Sequence, residues 1–247
     1  MNPVIVLFSG GIDSTVLATM AHNEGRLHSL LHFTYSQPSA PYEYRASAAW
    51  AREHKVPLER LVPTLHGTEP MKTAPGEPGS RMIPGRNLVM LSLAINYAAA
   101  QGVSEIWYGP TRDDWEDYPD CRPGFVSELC ALAEADTGVR VRAPLLHKRK
   151  AEVIAEAMEL GIDLDATWSC YAAQGWVARE AHHCPTIGHA CGTCNSCLLR
   201  QSAIEEARTL FESCCYAQEN QRFDSTSGEW DCVSCGETIN QPIRVIT

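Results

Sequence analysis

Short apolar runs alternate with amphipathic segments through the first 160 residues of the chain. Short continuous apolar runs are typical of buried strands, whereas apolar residues three or four apart indicate one face of a helix. The pattern predicts strands at 4–8, 27–33, 58–62, 105–108 and 139–142, and helices at 14–23, 42–53, 87–100, 123–135 and 149–160. This alternation favours an α/β fold, with a parallel sheet covered by helices on both faces.

Two long polar breaks interrupt the pattern, at 64–85 and at 109–123. The first contains four prolines and four glycines, and the second is polar, aromatic and rich in proline, so both are predicted to be loops. Because ligands of parallel α/β sheets bind at the carboxyl ends of the strands, loops of this kind are candidates for a functional site.

The character of the sequence changes after residue 166. Cysteine, histidine and glycine become frequent, a helix is predicted at about 196–213, and the last stretch, 214–247, has only weak periodicity. We therefore predict three units: an α/β domain over 1–166, a cysteine-bearing helical segment over 167–213, and a C-terminal extension over 214–247.

Composition and charge narrow the class of function. With 247 residues, 45% hydrophobic and 20% charged, the chain can form one large domain with a smaller appendage. It has no apolar run of the roughly 18 residues that a membrane span needs. The run at 3–8 also lacks a basic leader, so we predict a cytoplasmic protein. The net charge of −10, with one basic cluster at 148–150, disfavours a nucleic-acid partner and favours a small-molecule substrate.

A glycine-containing loop follows the first predicted strand, at 9–14, with the sequence Ser-Gly-Gly-Ile-Asp-Ser. Two glycines permit close approach of the backbone, and the N–H groups of the loop and the following helix make an anion site. Asp13 is expected either to cap the helix or to help hold a metal ion with the phosphates. The alternative is a plain glycine turn. The spacing and lysine of a Walker loop are absent. The predicted phosphate-binding residues are Ser9, Gly10, Gly11, Asp13 and Ser14.

Eleven cysteines, most of them after residue 169, indicate a metal site. Cys191, Cys194 and Cys197 have the C-x-x-C-x-x-C spacing that places thiolates on one tetrahedral zinc ion. Cys170 and Cys184 are candidates for the fourth ligand, with the histidines at 182, 183 and 189 behind them. Free buried cysteines and an iron–sulfur centre are the alternatives. The cysteines of the extension, Cys214, Cys215, Cys232 and Cys235, are candidates for a second metal site or for free thiols.

Several motifs taken together resemble the 7-cyano-7-deazaguanine synthases of the queuosine pathway. The loop at 9–14 is similar to that of the ATP pyrophosphatase superfamily, whose members split ATP between the α and β phosphates. The other matching segments are 84–87, 118–123, 144–145, 150–152, 169–171, 191–197 and 199–200, and the resemblance covers about residues 3–212.

This resemblance implies a Rossmann-like fold and an ATP-dependent ligase. The reaction implied is conversion of 7-carboxy-7-deazaguanine and ammonia to the nitrile, through an adenylated carboxylate and then an amide. It also implies ATP, Zn²⁺ and Mg²⁺ as cofactors and a homodimer. The residues implied are Asp13, Arg86 and Lys150 in catalysis, Asp114, Tyr118, Asp120 and Arg122 in substrate binding, and Cys170 as the fourth zinc ligand.

Each of these residues also has a structural interpretation. Lys150 and Glu152 are typical of a solvated helix start, and Arg86 could satisfy loop carbonyls. Asp120 could cap the helix after Pro123. For Cys121 we favour a small buried apolar residue over a nucleophile.

The chain also departs from the family pattern. The family's Asp-Tyr-Gly-Gln stretch, followed by a basic residue and histidine, is replaced at 34–40. Thr111 and Gly124 stand where asparagine and glutamate are expected, extra residues precede Cys191, and the extension is added. These departures motivate a second hypothesis, transfer of the activated carboxylate to another amine, such as a protein amine. A non-catalytic nucleotide-binding module is the third, and a tRNA-modifying enzyme is disfavoured by the acidic charge.

Overall fold

The computed structural model describes residues 2–35, 37–66, 83–171 and 190–211, and the backbone of three short strands between 221 and 239. Five strands form the main sheet: β1 Val4–Leu7, β2 Leu27–Phe33, β3 Leu58–Leu61, β4 Glu105–Trp107 and β5 Arg140–Arg142. Six helices accompany them: α1 Ile12–Asn23, α2 Ala40–Glu53, α3 Arg86–Ala100, α4 Pro123–Thr137, α5 Lys150–Glu159 and α6 Asn195–Phe211.

The strand order of the main sheet is β3-β2-β1-β4-β5, and each neighbouring pair is parallel. From β1 the chain adds β2 and then β3 on one side of the sheet. It then crosses to the other side of β1 and adds β4 and β5, so the strand order reverses between β1 and β4. Loops that follow these two strands diverge at this point, which is where ligands bind in open α/β sheets. The predicted phosphate-binding loop at 9–14, called the phosphate loop below, follows β1, and the loop at 109–123 follows β4.

Side chains of the central strand alternate between two cores. Val4 and Val6 face a core shared with α1, α2, α5 and α6, whereas Ile5 faces a core shared with α3 and α4. All three are fully buried. Strands that are buried on both faces read as continuous apolar runs, which is why the sequence predicted this sheet so readily. The predicted α/β fold with helices on both faces is confirmed.

Most element boundaries lie within two residues of the predicted ones. The loop at 109–123 contains two single-turn 3-10 helices, Arg112–Asp114 and Pro119–Cys121, that the sequence did not predict.

The C-terminal extension contains a three-stranded antiparallel sheet, formed by β6 Gln221–Asp224, β7 Glu229–Cys232 and β8 Thr238–Ile239. Its strands are two to four residues long, too short to give a clear alternation of polar and apolar residues. Most predictions on the extension and on the insert before Cys191 lie outside the described residues, including the ligand candidates His182, His183, Cys184 and His189 and the thiols of Cys214, Cys215, Cys232 and Cys235.

Within the described part of the chain, every helix is too short or too polar to span a lipid bilayer.

Candidate functional site

Gly10 lies where the phosphate loop meets α2. Its φ angle is +77°, in the left-handed region that favours glycine. A β-carbon there would lie 2.8 Å from the β-carbon of Ala46 and 2.8 Å from the carbonyl oxygen of Glu43. Glycine is therefore required by the packing of α2 against the loop, a reason that the sequence did not reveal.

The two serines of the loop make hydrogen bonds within it. The backbone N–H of Gly11 donates to Ser9 Oγ at 3.3 Å, and Ser14 Oγ donates to the carbonyl of Gly11 at 3.0 Å. Gly11 is the N-cap of α1, and no side chain caps this helix. The expectation that Asp13 is the cap is therefore wrong. Among the described residues, no side chain accepts from the first N–H groups of α1, which is the arrangement that binds phosphate.

Asp13 instead pairs with Lys150, the first residue of α5. Lys150 Nζ donates to Asp13 Oδ2, and both side chains are about a quarter exposed, at 27% and 24%. The second carboxylate oxygen, Oδ1, is buried and has no hydrogen-bond partner in the described structure. An orphaned carboxylate oxygen beside a phosphate loop is a suitable ligand for a hard cation such as Mg²⁺. A cation and a candidate metal ligand thus lie together beside the loop.

The two charged residues at the start of α5, Lys150 and Glu152, make different contacts. The N–H of Arg149 donates to Glu152 at 2.6 Å, so Glu152 completes the helix start. The backbone N–H of Lys150 donates to Asp113 at 2.8 Å, which joins α5 to the loop at 109–123. The side chain of Lys150 is left to cross to α1, so the interpretation as a solvated helix start fits Glu152 but not Lys150.

The loop after β4 is braced by two of the predicted substrate-binding residues. Asp114 Oδ2 accepts from both the backbone N–H and the hydroxyl of Thr111, at 2.7 and 2.8 Å. Burial, together with the nearby carboxylate of Asp13, raises the pKa of Asp114. Arg122 Nε donates to the carbonyl of Trp115 at 2.8 Å. Contact of either side chain with a substrate stays a prediction.

Asp120 joins the same loop to α3. Its Oδ2 accepts from the backbone N–H of Asn87 at 3.2 Å, so Asp120 satisfies the start of α3 and not that of α4. The neighbouring Cys121 is buried, and burial raises the pKa of its thiol well above the usual range. A thiol that stays protonated is a poor nucleophile, which supports the interpretation of Cys121 as a small buried residue.

Arg86 is the first residue of α3, and it lies among three tyrosines. Its Nη1 donates to the hydroxyl of Tyr35 at 3.1 Å. Tyr118 and Tyr171 are close enough to contribute to raising the pKa of the guanidinium. Within the described structure its guanidinium donates to this phenol and not to loop carbonyls. The predicted residues thus form two groups, one of Asp13, Asp114 and Lys150 and one of Arg86, Tyr118 and Asp120.

Tyr35 and Tyr171 are members of this group that the sequence analysis did not select. Tyr35 lies in the segment that departs from the family pattern, and described residues of this segment form a hydrogen-bonded network. The N–H of Tyr35 donates to Gln37 Oε1 at 2.6 Å, and Gln37 Nε2 donates to Glu43 at 3.0 Å. Ser39 Oγ donates to the same carboxylate at 2.6 Å. The one available signal was that Tyr35 and Gln37 match the tyrosine and the glutamine of the family's Asp-Tyr-Gly-Gln stretch.

Four cysteines form a candidate metal centre. The sulfur atoms of Cys170, Cys191, Cys194 and Cys197 all lie within 4.8 Å of one another. Metal–sulfur bonds of about 2.3 Å place the ligands of a tetrahedral zinc ion about 3.8 Å apart, so the group fits a single ion. Backbone N–H groups, first that of Thr193, lower the pKa of Cys191 to about 6, which favours the thiolate that a metal binds. The predicted fourth ligand, Cys170, belongs to this group, and Cys184 lies outside the described residues.

Trp168 connects the metal centre with the phosphate loop. Its backbone N–H donates to the carbonyl of Gly10 at 2.8 Å, and its indole N–H donates to the carbonyl of Cys170 at 2.8 Å. The indole ring stacks on Tyr42 of α2, with centroids 4.6 Å apart and planes 11° from parallel. The metal centre therefore packs against the same loop and helix that Gly10 joins.

These features indicate a class of protein: an α/β fold with a loop suited to binding phosphate at the switch point of its sheet, and a group of four cysteines suited to a metal ion beside it. The family described as queuosine biosynthesis protein QueC matches residues 3–208, and the chain belongs to this family. The predicted membership of the 7-cyano-7-deazaguanine synthase family, and with it of a family of ATP-dependent ligases, is confirmed.

Curated relatives cover most of the chain. A 7-cyano-7-deazaguanine synthase of Syntrophobacter fumaroxidans is 36% identical over 225 residues, which are 82% of this chain and 92% of the relative. One of Nitrosococcus oceani is 33% identical over 82% of this chain and 93% of the relative. Among solved structures, the U34-tRNA thiolase NcsA from Methanococcus maripaludis with its 4Fe-4S cluster superposes with a TM-score of 0.45 and 17% identity, over 85% of this chain and 67% of that one.

The packing at Gly10 predicts a large difference between two glycine substitutions. Both Gly10 and Gly25 have positive φ angles, but a β-carbon at Gly25 would meet no atom within 4 Å. Gly25→Ala should therefore cost only the backbone strain, about 1 kcal/mol of unfolding free energy. Gly10→Ala adds contacts with α2 and should cost about 3 kcal/mol. Denaturant unfolding checks this, and equal losses for the two variants would contradict the packing role.

Proposed function

We propose that this protein uses ATP to convert 7-carboxy-7-deazaguanine and ammonia to 7-cyano-7-deazaguanine. The observation that carries the proposal is the Asp13–Lys150 pair at the uncapped start of α1, next to the switch point of the sheet. Family membership supplies the substrate class, since the curated relatives bear the name of this synthase.

The chemistry replaces a poor leaving group with a good one. A carboxylate oxygen of the substrate attacks the α-phosphorus of ATP, and pyrophosphate leaves. Ammonia then adds to the acyl carbon, and AMP departs with the former carboxylate oxygen to give the amide. The amide oxygen repeats the attack on a second ATP, and loss of AMP and protons from this adduct gives the nitrile.

The described residues can supply the electrostatic part of this scheme. The N–H groups at the start of α1 and the hydroxyls of Ser9 and Ser14 would bind phosphate oxygens. Lys150 Nζ would stabilise the charge that develops on the phosphates during both attacks. Asp13 Oδ1 would hold Mg²⁺, which neutralises part of the triphosphate charge when bound.

We propose that the four-cysteine centre binds structural zinc. Its sulfur atoms Cys191 Sγ and Cys197 Sγ are 4.0 Å apart, as are those of Cys170 and Cys194, which suits one tetrahedral ion. In a four-iron cluster each thiolate binds a separate iron, so the sulfurs would stand further apart. All four sites are occupied by cysteine, which leaves no open position for catalysis on the metal.

A second function, transfer of the activated carboxylate to another amine such as a protein amine, rests on the loop after β4. Thr111 and Asp114 form a closed pair where the resemblance led us to expect an asparagine. We retain a cytoplasmic location and a homodimer as proposals.

The activity assay combines product identification with a matched pair of lysine variants. Wild-type protein incubated with the acid, ATP, Mg²⁺ and ammonium should form the nitrile, AMP and pyrophosphate, detected by mass spectrometry. Lys150→Met should lower kcat/KM at least about 100-fold, because a charge aimed at the phosphates is lost. Lys148→Met is the control, since Lys148 pairs with Glu156 at 2.7 Å and should retain activity within about threefold.

The other outcomes of this assay distinguish the hypotheses. Release of AMP and pyrophosphate with the acid, but without nitrile, would favour another amine acceptor. Failure to release AMP with any combination of the acid and ammonium would favour a nucleotide-binding module and contradict catalysis.

Metal analysis tests the zinc assignment. The purified protein should contain one zinc ion bound by the four cysteines. The Cys194→Ser variant should lose this ion and unfold at a lower temperature, because structural zinc contributes directly to folding. Cys130→Ser is the control, since Cys130 is a half-buried thiol of α4 outside the centre. Stoichiometric iron and sulfide in place of zinc, or a Cys194→Ser variant with unchanged metal and stability, would show that the assignment is wrong.

A further inference from the structure

Arg86 is a half-buried cation without an acidic partner in the described structure. Its guanidinium has five N–H donors, yet its one hydrogen bond to a described residue goes to the neutral hydroxyl of Tyr35, at 3.1 Å. The comparable cation of the site, Lys150, is paired with Asp13. Withdrawing a charge from water without a counter-charge is costly, so a site of this kind is suited to an anion that arrives with a ligand.

The surroundings of Arg86 consist of phenols that remain neutral. Burial raises the pKa of Tyr35 and of Tyr171, so both are protonated at neutral pH. The guanidinium carbon lies 5.9 Å from the centre of the Tyr35 ring, and Tyr118 and Tyr171 lie nearby. A cation among phenols can bind an anion, and aromatic faces beside it suit a flat heterocycle.

A carboxylate already accepts a hydrogen bond from the backbone at the start of α3. The side chain of Arg86 is therefore the group there that remains able to bind an anion. Asp120 accepts from the N–H of Asn87, so the helix terminus itself is occupied. Asp120 and Tyr118 belong to the loop after β4, and Tyr35 follows β2. Arg86 is therefore held between loops at the carboxyl edge of the sheet, which is the ligand-binding edge.

Arg86 is separate from the phosphate-binding residues in its contacts. Between Arg86 and residues 9–14, all of them described, the structure has no hydrogen bond or ion pair. The sequence-based hypothesis gave Arg86 the same task as Lys150, stabilisation of phosphate charge. The structure favours a division in which Lys150 serves the nucleotide and Arg86 serves the other substrate.

We propose that Arg86, held by Tyr35, binds the carboxylate of the deazapurine acid before adenylation. The proposal rests on the proposed function for the identity of that acid. The planar guanidinium can hold a carboxylate through both of its oxygens, and a remaining lone pair on one of them is then free to attack ATP. Once the acid has become the neutral amide this charge pair is lost, so Arg86 distinguishes the first half of the reaction from the second.

The test compares binding of a charged and a neutral deazapurine by isothermal titration calorimetry. The ligands are 7-carboxy-7-deazaguanine, 7-deazaguanine, which lacks the carboxylate, and ATP with Mg²⁺. Arg86→Met should weaken binding of the acid at least about 30-fold, because the partner of a desolvated charge is removed. It should change the affinities for 7-deazaguanine and for ATP less than about threefold. Tyr35→Phe should weaken acid binding about threefold to tenfold.

Arg60→Met is the matched control. Arg60 also lies over a tyrosine, with its guanidinium carbon 4.7 Å from the Tyr44 ring centre, but it is exposed on β3. All three affinities should be unchanged in this variant. If Arg86→Met does not fold, Arg86→Lys replaces it: the charge is kept but the fork is lost, and acid binding should weaken about tenfold with ATP binding unchanged.

The contradictory outcomes separate this inference from the proposed function. If wild-type protein binds the acid but Arg86→Met weakens ATP binding instead, Arg86 serves the phosphates and the inference is overturned while the function stands. Equal losses for the charged and the neutral deazapurine would indicate a merely structural role and would also overturn it. If wild-type protein binds neither deazapurine, both the inference and the proposed function are wrong.

Discussion

The hydrogen bond from the Trp168 N–H to the Gly10 carbonyl is the contact on which the candidate site depends. It joins the phosphate loop, which follows the first strand, to a segment more than 150 residues later in the chain. On one side of this contact Gly10 packs against α2 so closely that no side chain fits. On the other side Trp168 stacks on α2 and donates to Cys170 of the metal centre. The conformation of the phosphate loop is therefore determined by its contacts with α2 and Trp168 as much as by its own sequence.

This arrangement places the candidate metal centre in contact with the supports of the loop that is proposed to bind nucleotide phosphate. The buried sulfurs of Cys170, Cys194 and Cys197 pack in one cluster with Trp168 and with two residues of α2. Arg200 of α6 donates to the hydroxyls of Thr167 and Ser169, at 2.9 and 3.0 Å, and so fastens the segment that carries Trp168. A metal ion that joins Cys170 to the start of α6 would close this assembly beneath the phosphate loop.

Charge is divided between two places on the same edge of the sheet. Lys150 and Asp13 meet where α5 and α1 begin, whereas Arg86 lies with Tyr35 at the start of α3. The sequence analysis selected all three charged residues, because each belongs to a segment that resembles the family. It could not predict their partners. From the sequence, the Asp120 carboxylate could accept a hydrogen bond from the first turn of α3 or of α4. Only the folded chain shows that it accepts from the start of α3. The contacts of Gly10 and Trp168 could not be predicted either, since they join residues far apart in sequence. The strands β6 to β8 were missed for a different reason, since they are too short for a period-2 pattern to stand out.

The affinity for ATP before and after removal of the metal most directly tests the coupling between the metal centre and the phosphate loop. The measurement is calorimetric titration of Mg-ATP into metal-replete protein, into protein stripped with a chelator that is then removed, and into stripped protein resupplied with zinc. The coupling predicts that stripping weakens ATP binding at least about tenfold and that zinc restores it, since the Gly10 carbonyl loses its support. An unchanged dissociation constant in stripped protein would contradict it, because the phosphate loop would then be shown to keep its shape without the metal centre.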